Sequence, residues 1–183
     1  MGRLLFFPVM IVTASASRHT SMRRLALVAV ITLFVRVLPA SADDSLSYEA
    51  GKGFYFSHSA CANILRYRHE LDPLFGLSSF FEASFASWNG PDQSDAIALA
   101  RGIRWGNLDR YLSFTMGLSH ISRTTGNLGQ PFEFYLRLAY EKSFGKALFS
   151  IGWIHYSDGK FIFGWSGPNN SENFATISIG LSF

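Results

Sequence analysis

A chain of 183 residues has room for one domain, and with 16% aromatic and 16% charged residues, including 18 Phe and 16 Gly, it is aromatic-rich and charge-poor for a cytosolic globule. The net charge of +3 lies largely in the amino-terminal segment, and no dense Lys/Arg stripe follows, so the sequence carries no nucleic-acid footprint and no such partner is expected. The one cysteine, Cys61, excludes an intramolecular disulfide and reads as a small buried apolar side chain.

The first element in chain order is "MRRLALVAVITLFVRVLPASADD", starting at Met22. Two arginines, an apolar run from Leu25 to Phe34 and the small residues Ala40, Ser41 and Ala42 form the pattern of a secretory signal. The expectation is a signal region over 1–42, with Met22 as an alternative true start, and a mature domain over 43–183. Arg36 interrupts the apolar run and argues against a membrane helix, and no later stretch approaches the length of one.

From there the chain alternates in segments of about ten residues, at 45–51, 60–70, 77–88, 95–106, 109–122, 132–143, 146–157 and 173–183, separated by Gly/Pro/Asn/Asp clusters. In a strand, successive side chains take opposite faces. Phe132, Phe134, Leu136, Leu138 and Tyr140 therefore oppose Glu133, Tyr135, Arg137 and Ala139, with Glu141 following. Near the carboxyl end, Ala175, Ile177, Ile179, Leu181 and Phe183 oppose Phe174, Thr176, Ser178, Gly180 and Ser182. A soluble sandwich with its apolar faces inward fits this alternation as well as a membrane barrel with them outward. An even strand number and alternately short and long connections favour the barrel. The short connections are "DPLFG", "GNLD" and "SFGKA"; the longest is "DGKFIFGWSGPNNSEN". The fold class expected is an all-β, eight-stranded antiparallel transmembrane β-barrel, with Glu82, Glu133 and Arg137 forming interior ion pairs. The aromatic Phe183, in phase with the apolar face, resembles the ends of bacterial outer-membrane barrels.

Segment 146–157 ends in "GWIHYS", which puts His155 and Ser157 on the face of Ile151 and Trp153 at the end with the long connections. Two readings stand side by side. In one, these are polar residues at a membrane interface, where polarity costs little, as His120 and Ser122 of "GLSHISR" would also be. In the other they form an acyl-transfer site. A serine hydroxyl needs a base within hydrogen-bond reach, and the base needs a carboxylate that fixes its tautomer and stabilises its charged form. Ser157 would be nucleophile, His155 base and then acid, and Glu172 the orienting carboxylate. Glu172 has inward parity, so this role requires a bulge or loop conformation at 171–173. Oxyanion donors would come from Asn169, with Asn170 and the backbone of Gly159 behind it.

The residues "GWIHYSDGKF…GPNNSENFATISIGLSF", preceded by "NLGQPFEFYLRLAY", resemble the outer-membrane lipid A 3-O-deacylases of the PagL type, grouped with acyloxyacyl hydrolases. His155 and Ser157 match that family's H-x-S-N element, and Pro168, Asn169, Glu172, Asn173 and Phe174 match its P-N-x-x-E-N-F-like element. The resemblance implies a barrel in the bacterial outer membrane that hydrolyses the ester-linked acyl chain at position 3 of lipid A within lipopolysaccharide, with neither metal nor organic cofactor; a homodimer is compatible with it. Asp158 departs from the family, which has Asn after the serine; it would disfavour an oxyanion if it pointed into the site, and it could equally face solvent in the loop, since successive residues alternate faces. The alternative from a different class is a non-catalytic small outer-membrane barrel with an adhesive or membrane-structural role. A soluble lipid-carrying barrel would turn the apolar faces inward.

Overall fold

The computed structural model describes residues 44–57, 60–90, 92–107, 109–159, 164 and 170–183; the expected signal region 1–42 and the alternative start at Met22 lie outside them. Among the described residues eight strands follow in chain order: β1 (Ser45–Gly53), β2 (Cys61–Leu74), β3 (Leu77–Asn89), β4 (Ser94–Gly106), β5 (Arg110–Ile121), β6 (Phe132–Phe144), β7 (Ala147–Ser157) and β8 (Glu172–Ser182). Each pairs antiparallel with its sequence neighbour, and β1 pairs with β8 to close the barrel. Closure leaves no sheet edge, so the strands pair on both sides.

The boundaries match the alternating segments except after β2. That strand continues to Leu74 through a register shift between Leu71 and Leu74, leaving Phe75 and Gly76 as the turn into β3. Both turn residues have positive φ, 53° and 77°, the backbone sense that follows the twist of paired strands. The turns after β2, β4 and β6 lie at one end of the barrel, the turn end. The connections after β1, β3, β5 and β7 lie at the other, the loop end.

The side-chain distribution is inside out. Ile97, Ile151 and Ile177 are 58%, 69% and 65% exposed, while Arg66, Arg137, Glu49 and Glu82 are buried in the lumen. Soluble sandwiches and lipid carriers bury the opposite face, so the structure decides for the outward apolar face that a bilayer requires.

The middle of the lumen holds three arginines and three glutamates in a closed circuit. Arg66 meets Glu49 and, at 3.0 Å, Glu82. Arg68 bridges Glu82 and Glu141, both at 2.8 Å. Arg137 completes the circuit with Glu141 at 2.8 Å and Glu49 at 3.3 Å. Desolvating six charges is expensive, and the cost is offset only because every charge has two opposite neighbours. Of the interior ion pairs expected from sequence, those of Glu82 and Arg137 are present. Glu133 departs from that expectation: it sits nearer the loop end, beyond Tyr135 on the same strand, and among the described residues its carboxylate meets no cationic side chain.

Above the circuit, Trp88, Tyr135, Tyr156 and Phe174 fill the lumen with ring centroids 5.3–5.7 Å apart for the Trp88–Tyr156, Tyr135–Tyr156 and Trp88–Phe174 pairs. Tyr135 Oη donates to Glu82 at 2.7 Å, joining this aromatic layer to the charges below. Below the circuit, Phe80 lies across Gly102, where any Cβ would meet its ring at 2.2 Å. The guanidinium of Arg68 stands 4.3 Å from the Phe80 centroid.

Replacing Arg137 by Met strands Glu49 and Glu141 with half their counter-charge, and the expected destabilisation is about 3–5 kcal/mol. Urea unfolding of the barrel in detergent reads this as a lower midpoint at unchanged slope. An unchanged midpoint would mean that the circuit contributes nothing to stability.

Candidate active site

Strand β7 keeps strict alternation to its end. Phe149, Ile151 and Trp153 are exposed on the outside, while Ile154 and Tyr156 are fully buried within. His155 and Ser157 therefore continue the outward face at the loop end, and both are half-buried. Register sets their neighbours: Ser157 lies opposite Phe134 of β6, and His155 lies between Leu136 of β6 and Asn173 of β8. The outward positions flanking the pair on β6 and β8 thus carry Phe134, Leu136, Asn173 and Ala175, none of them charged.

Among the described residues His155 has one polar contact, Nδ1 to Asn173 Oδ1 at 3.0 Å. The same oxygen accepts from Trp153 Nε1 at 3.1 Å, and Asn173 Nδ2 donates to Ser171 Oγ at 2.9 Å. Ser171 holds a left-handed backbone, φ 60°, just before β8 begins. Ser157 Oγ makes no hydrogen bond to another described residue. Strand geometry separates residues i and i+2 by about 6.6 Å along the chain, and catalytic pairs without substrate are often loose in this way.

Glu172 does not orient His155. Regular pairing of Tyr156 with Glu172 and of His155 with Asn173 runs to the first residue of β8, so no bulge turns Glu172 outward. Its carboxylate lies inside the mouth of the barrel, 1% exposed, where it accepts from Ser57 Oγ and, at 3.0 Å, from Asn127 Nδ2. Ser57 belongs to a 3-10 turn, Tyr55–Ser57, in the first loop, and Asn127 to the connection after β5. Ser57 Oγ also accepts from the Asn173 backbone N–H at 3.0 Å. Glu172 is thus a tie between two loops and the start of β8.

The remaining expected residues fall as follows. Asp158 is 1% exposed and points to the lumen side near Glu133, neither into the Ser157 face nor into solvent, because it alternates with Ser157. Gly159 is buried with φ 65°. Asn170 is exposed, and its backbone N–H donates to Asn127 O at 2.9 Å, so that donor serves the loop and not an oxyanion. Asn169 lies outside the described residues. His120 is exposed on β5 with its ring edge-on to Phe132, centroids 5.2 Å apart, and Ser122 accepts from the Asp95 N–H at 3.1 Å. Cys61 is exposed, contrary to the buried reading, because β2 parity turns it outward; Lys52 Nζ lies 3.6 Å from its sulfur.

No family model matches the sequence, and no curated protein matches it. Among solved structures, the fold is similar to that of PagL, described as an outer-membrane enzyme: TM-score 0.62, 18% identity, covering 76% of this chain and 99% of that one. It is also similar to a de novo designed transmembrane β-barrel: TM-score 0.54, 8% identity, 76% of this chain and 94% of the other. Identities this low establish a shared barrel fold and nothing finer. Neither neighbour's description speaks of a dimer, and the homodimer compatible with the sequence gains no support.

Sequence reading assigned no role to Asn173, Ser57 or Asn127. For Asn173 the signal was present, since it is in phase with Ala175 and Ile177 on the face that His155 shares. For Ser57 and Asn127 there was none, because loop closure over the lumen leaves no periodic trace.

Glu172→Ala removes an acceptor shared by two loops, leaving the Ser57 hydroxyl without its acceptor and Asn127 without its shorter bond, at a cost of roughly 1–3 kcal/mol. The expected result is faster protease cutting within 54–60 and 122–131 while the strands stay protected. Unchanged cutting rates would contradict the tie.

Proposed function

We propose that this barrel is an outer-membrane ester hydrolase that removes the acyl chain linked at position 3 of lipid A, with Ser157 as nucleophile and His155 as general base. The observation that carries this reading is the placement of His155 and Ser157. They lie two residues apart on the outward face at the loop end, where the acyl chains of an outer-leaflet glycolipid would lie against the barrel. The similarity of fold to an outer-membrane enzyme and the sequence resemblance around both residues support it.

In the reaction, His155 takes the Ser157 hydroxyl proton as Oγ bonds to the acyl carbonyl carbon. The tetrahedral intermediate collapses with cleavage of the ester C–O bond, and the imidazolium returns its proton to the departing sugar 3-oxygen. Water then attacks the acyl-serine, His155 taking its proton and returning it to Oγ, which frees the fatty acid. Oxyanion stabilisation falls to the connection after β7, with the Gly159 backbone and Asn169 as candidate donors. The outward apolar residues Leu136, Phe134 and Trp153 offer a surface for the acyl chain, so no enclosed pocket is needed.

Mass spectrometry of lipid A from outer membranes carrying the barrel, beside Ser157→Ala at equal folded abundance, tests the reading. Loss of one 3-hydroxyacyl chain with the parent and intact lipid A with the variant is the expected result. Intact lipid A with both, in folded barrels, would leave a non-catalytic barrel as the function.

A further inference from the structure

We propose that Asn173, itself held by Trp153, is the positioning residue that fixes His155 as the tautomer protonated on Nδ1, with an amide standing where a carboxylate would be expected. This rests on the hydrolase reading of His155 and Ser157 and deepens it. An indole N–H can only donate. The atom of Asn173 that lies 3.1 Å from Trp153 Nε1 must therefore be the amide oxygen, which removes the usual ambiguity between the two ends of an Asn side chain. That oxygen lies 3.0 Å from His155 Nδ1 and can only accept, so Nδ1 carries the proton and Nε2 carries the lone pair.

Two further features keep the amide in place. Its nitrogen donates to Ser171 Oγ at 2.9 Å, and that hydroxyl donates onward to Asn170 O at 2.6 Å, so Ser171 is left as acceptor toward Asn173. Ser171 reaches this position from a left-handed backbone, φ 60°, a conformation that a non-glycine residue adopts only when its surroundings hold it there. Asn173 as a whole is 7% exposed despite its outward parity, covered by Trp153 and His155, whose rings stand 5.5 Å apart. The outward neighbours of His155 are all uncharged: Leu136 flanks it on β6, Asn173 on β8 and Ser157 on its own strand.

An amide acceptor sets the tautomer as a carboxylate does, but adds no negative charge to balance the imidazolium formed during acyl transfer. Acyl transfer on a His–Asn pair has precedent in the Cys-His-Asn proteases. The charge of Glu172 is directed to the loops instead.

The test reads the tautomer directly. Nitrogen-15 NMR of the histidine-labelled mature barrel in detergent, with His155→Gln to assign the signal, distinguishes a protonated Nδ1 from a protonated Nε2. The wild-type barrel is expected to show Nδ1–H alone. Trp153→Phe removes one of the two bonds that hold the amide and lets some of the Nε2–H tautomer appear, and Asn173→Leu abolishes the preference. In hydrolysis assays, kcat falls with Asn173→Leu by roughly 10²–10⁴-fold, the usual worth of a positioned base, while KM stays near its parent value. Asn173→Asp keeps activity and moves the acid limb of the kcat/KM profile upward by about one pH unit, as a new adjacent anion should; the tautomer signal is the readout that a purely structural role would not move. A wild-type signal from Nε2–H, or an unchanged tautomer in both Trp153→Phe and Asn173→Leu, overturns the proposal whatever the activity. A wild-type Nδ1–H signal that both variants disturb, in a barrel that hydrolyses nothing, upholds the positioning and overturns the hydrolase reading alone.

Discussion

The closed circuit of Arg66, Glu82, Arg68, Glu141, Arg137 and Glu49 is the constraint on which the rest of this barrel depends. It draws on β1, β2, β3 and β6, so it fixes four strands in register from within, where an apolar exterior facing lipid supplies little specificity of its own. It is electrically neutral, three charges against three. With the aromatic layer of Trp88, Tyr135, Tyr156 and Phe174 above it, it fills the lumen. An eight-stranded barrel filled in this way has no channel to offer. Whatever chemistry it performs must take place at its mouths or on its outer surface.

That exclusion gives His155 and Ser157 their meaning. An enzyme acting on a soluble substrate buries its reactive groups in a cleft to exclude water. One acting on a membrane lipid meets its substrate already desolvated, packed beside the wall. On the hydrolase reading proposed above, His155 and Ser157 on the outward face at the loop end, flanked by Phe134, Leu136 and Trp153, would have the lipid itself as the wall of the site. The lumen mouth then supports them from behind. Glu172 gathers Ser57 and Asn127, and through the Asn173 backbone N–H bound to Ser57 Oγ it holds the first residues of β8, from which the Asn173 side chain reaches His155.

Much of this was legible in the residues because barrels translate parity directly into position. The alternation of Phe132 to Tyr140 and of Ala175 to Leu181 located the outward face, and the same parity placed His155 and Ser157 upon it. It also placed Glu172 inward, against the orienting role that acyl-transfer chemistry asks of a carboxylate; with β8 regularly paired from its first residue, no bulge turns Glu172 outward, and parity is the better guide. Cys61 misled for a related reason: a small apolar residue is buried in a soluble core, but in a barrel burial follows phase and not polarity. The link from Ser57 and Asn127 to Glu172 depends on how loops fold over the mouth. Its residues are far apart in sequence and carry no period, so only three-dimensional structure reveals it.

Whether Ser157 is a nucleophile facing lipid is decided by covalent trapping in the membrane. Outer membranes carrying the barrel would be treated with a long-chain alkyl fluorophosphonate, whose phosphorus takes the serine oxygen as fluoride leaves, and the adduct located by peptide mass spectrometry. Modification at Ser157 that is lost in His155→Ala is the expected result. A folded barrel in which Ser157 stays unmodified while the probe labels other proteins of the same membrane would contradict it.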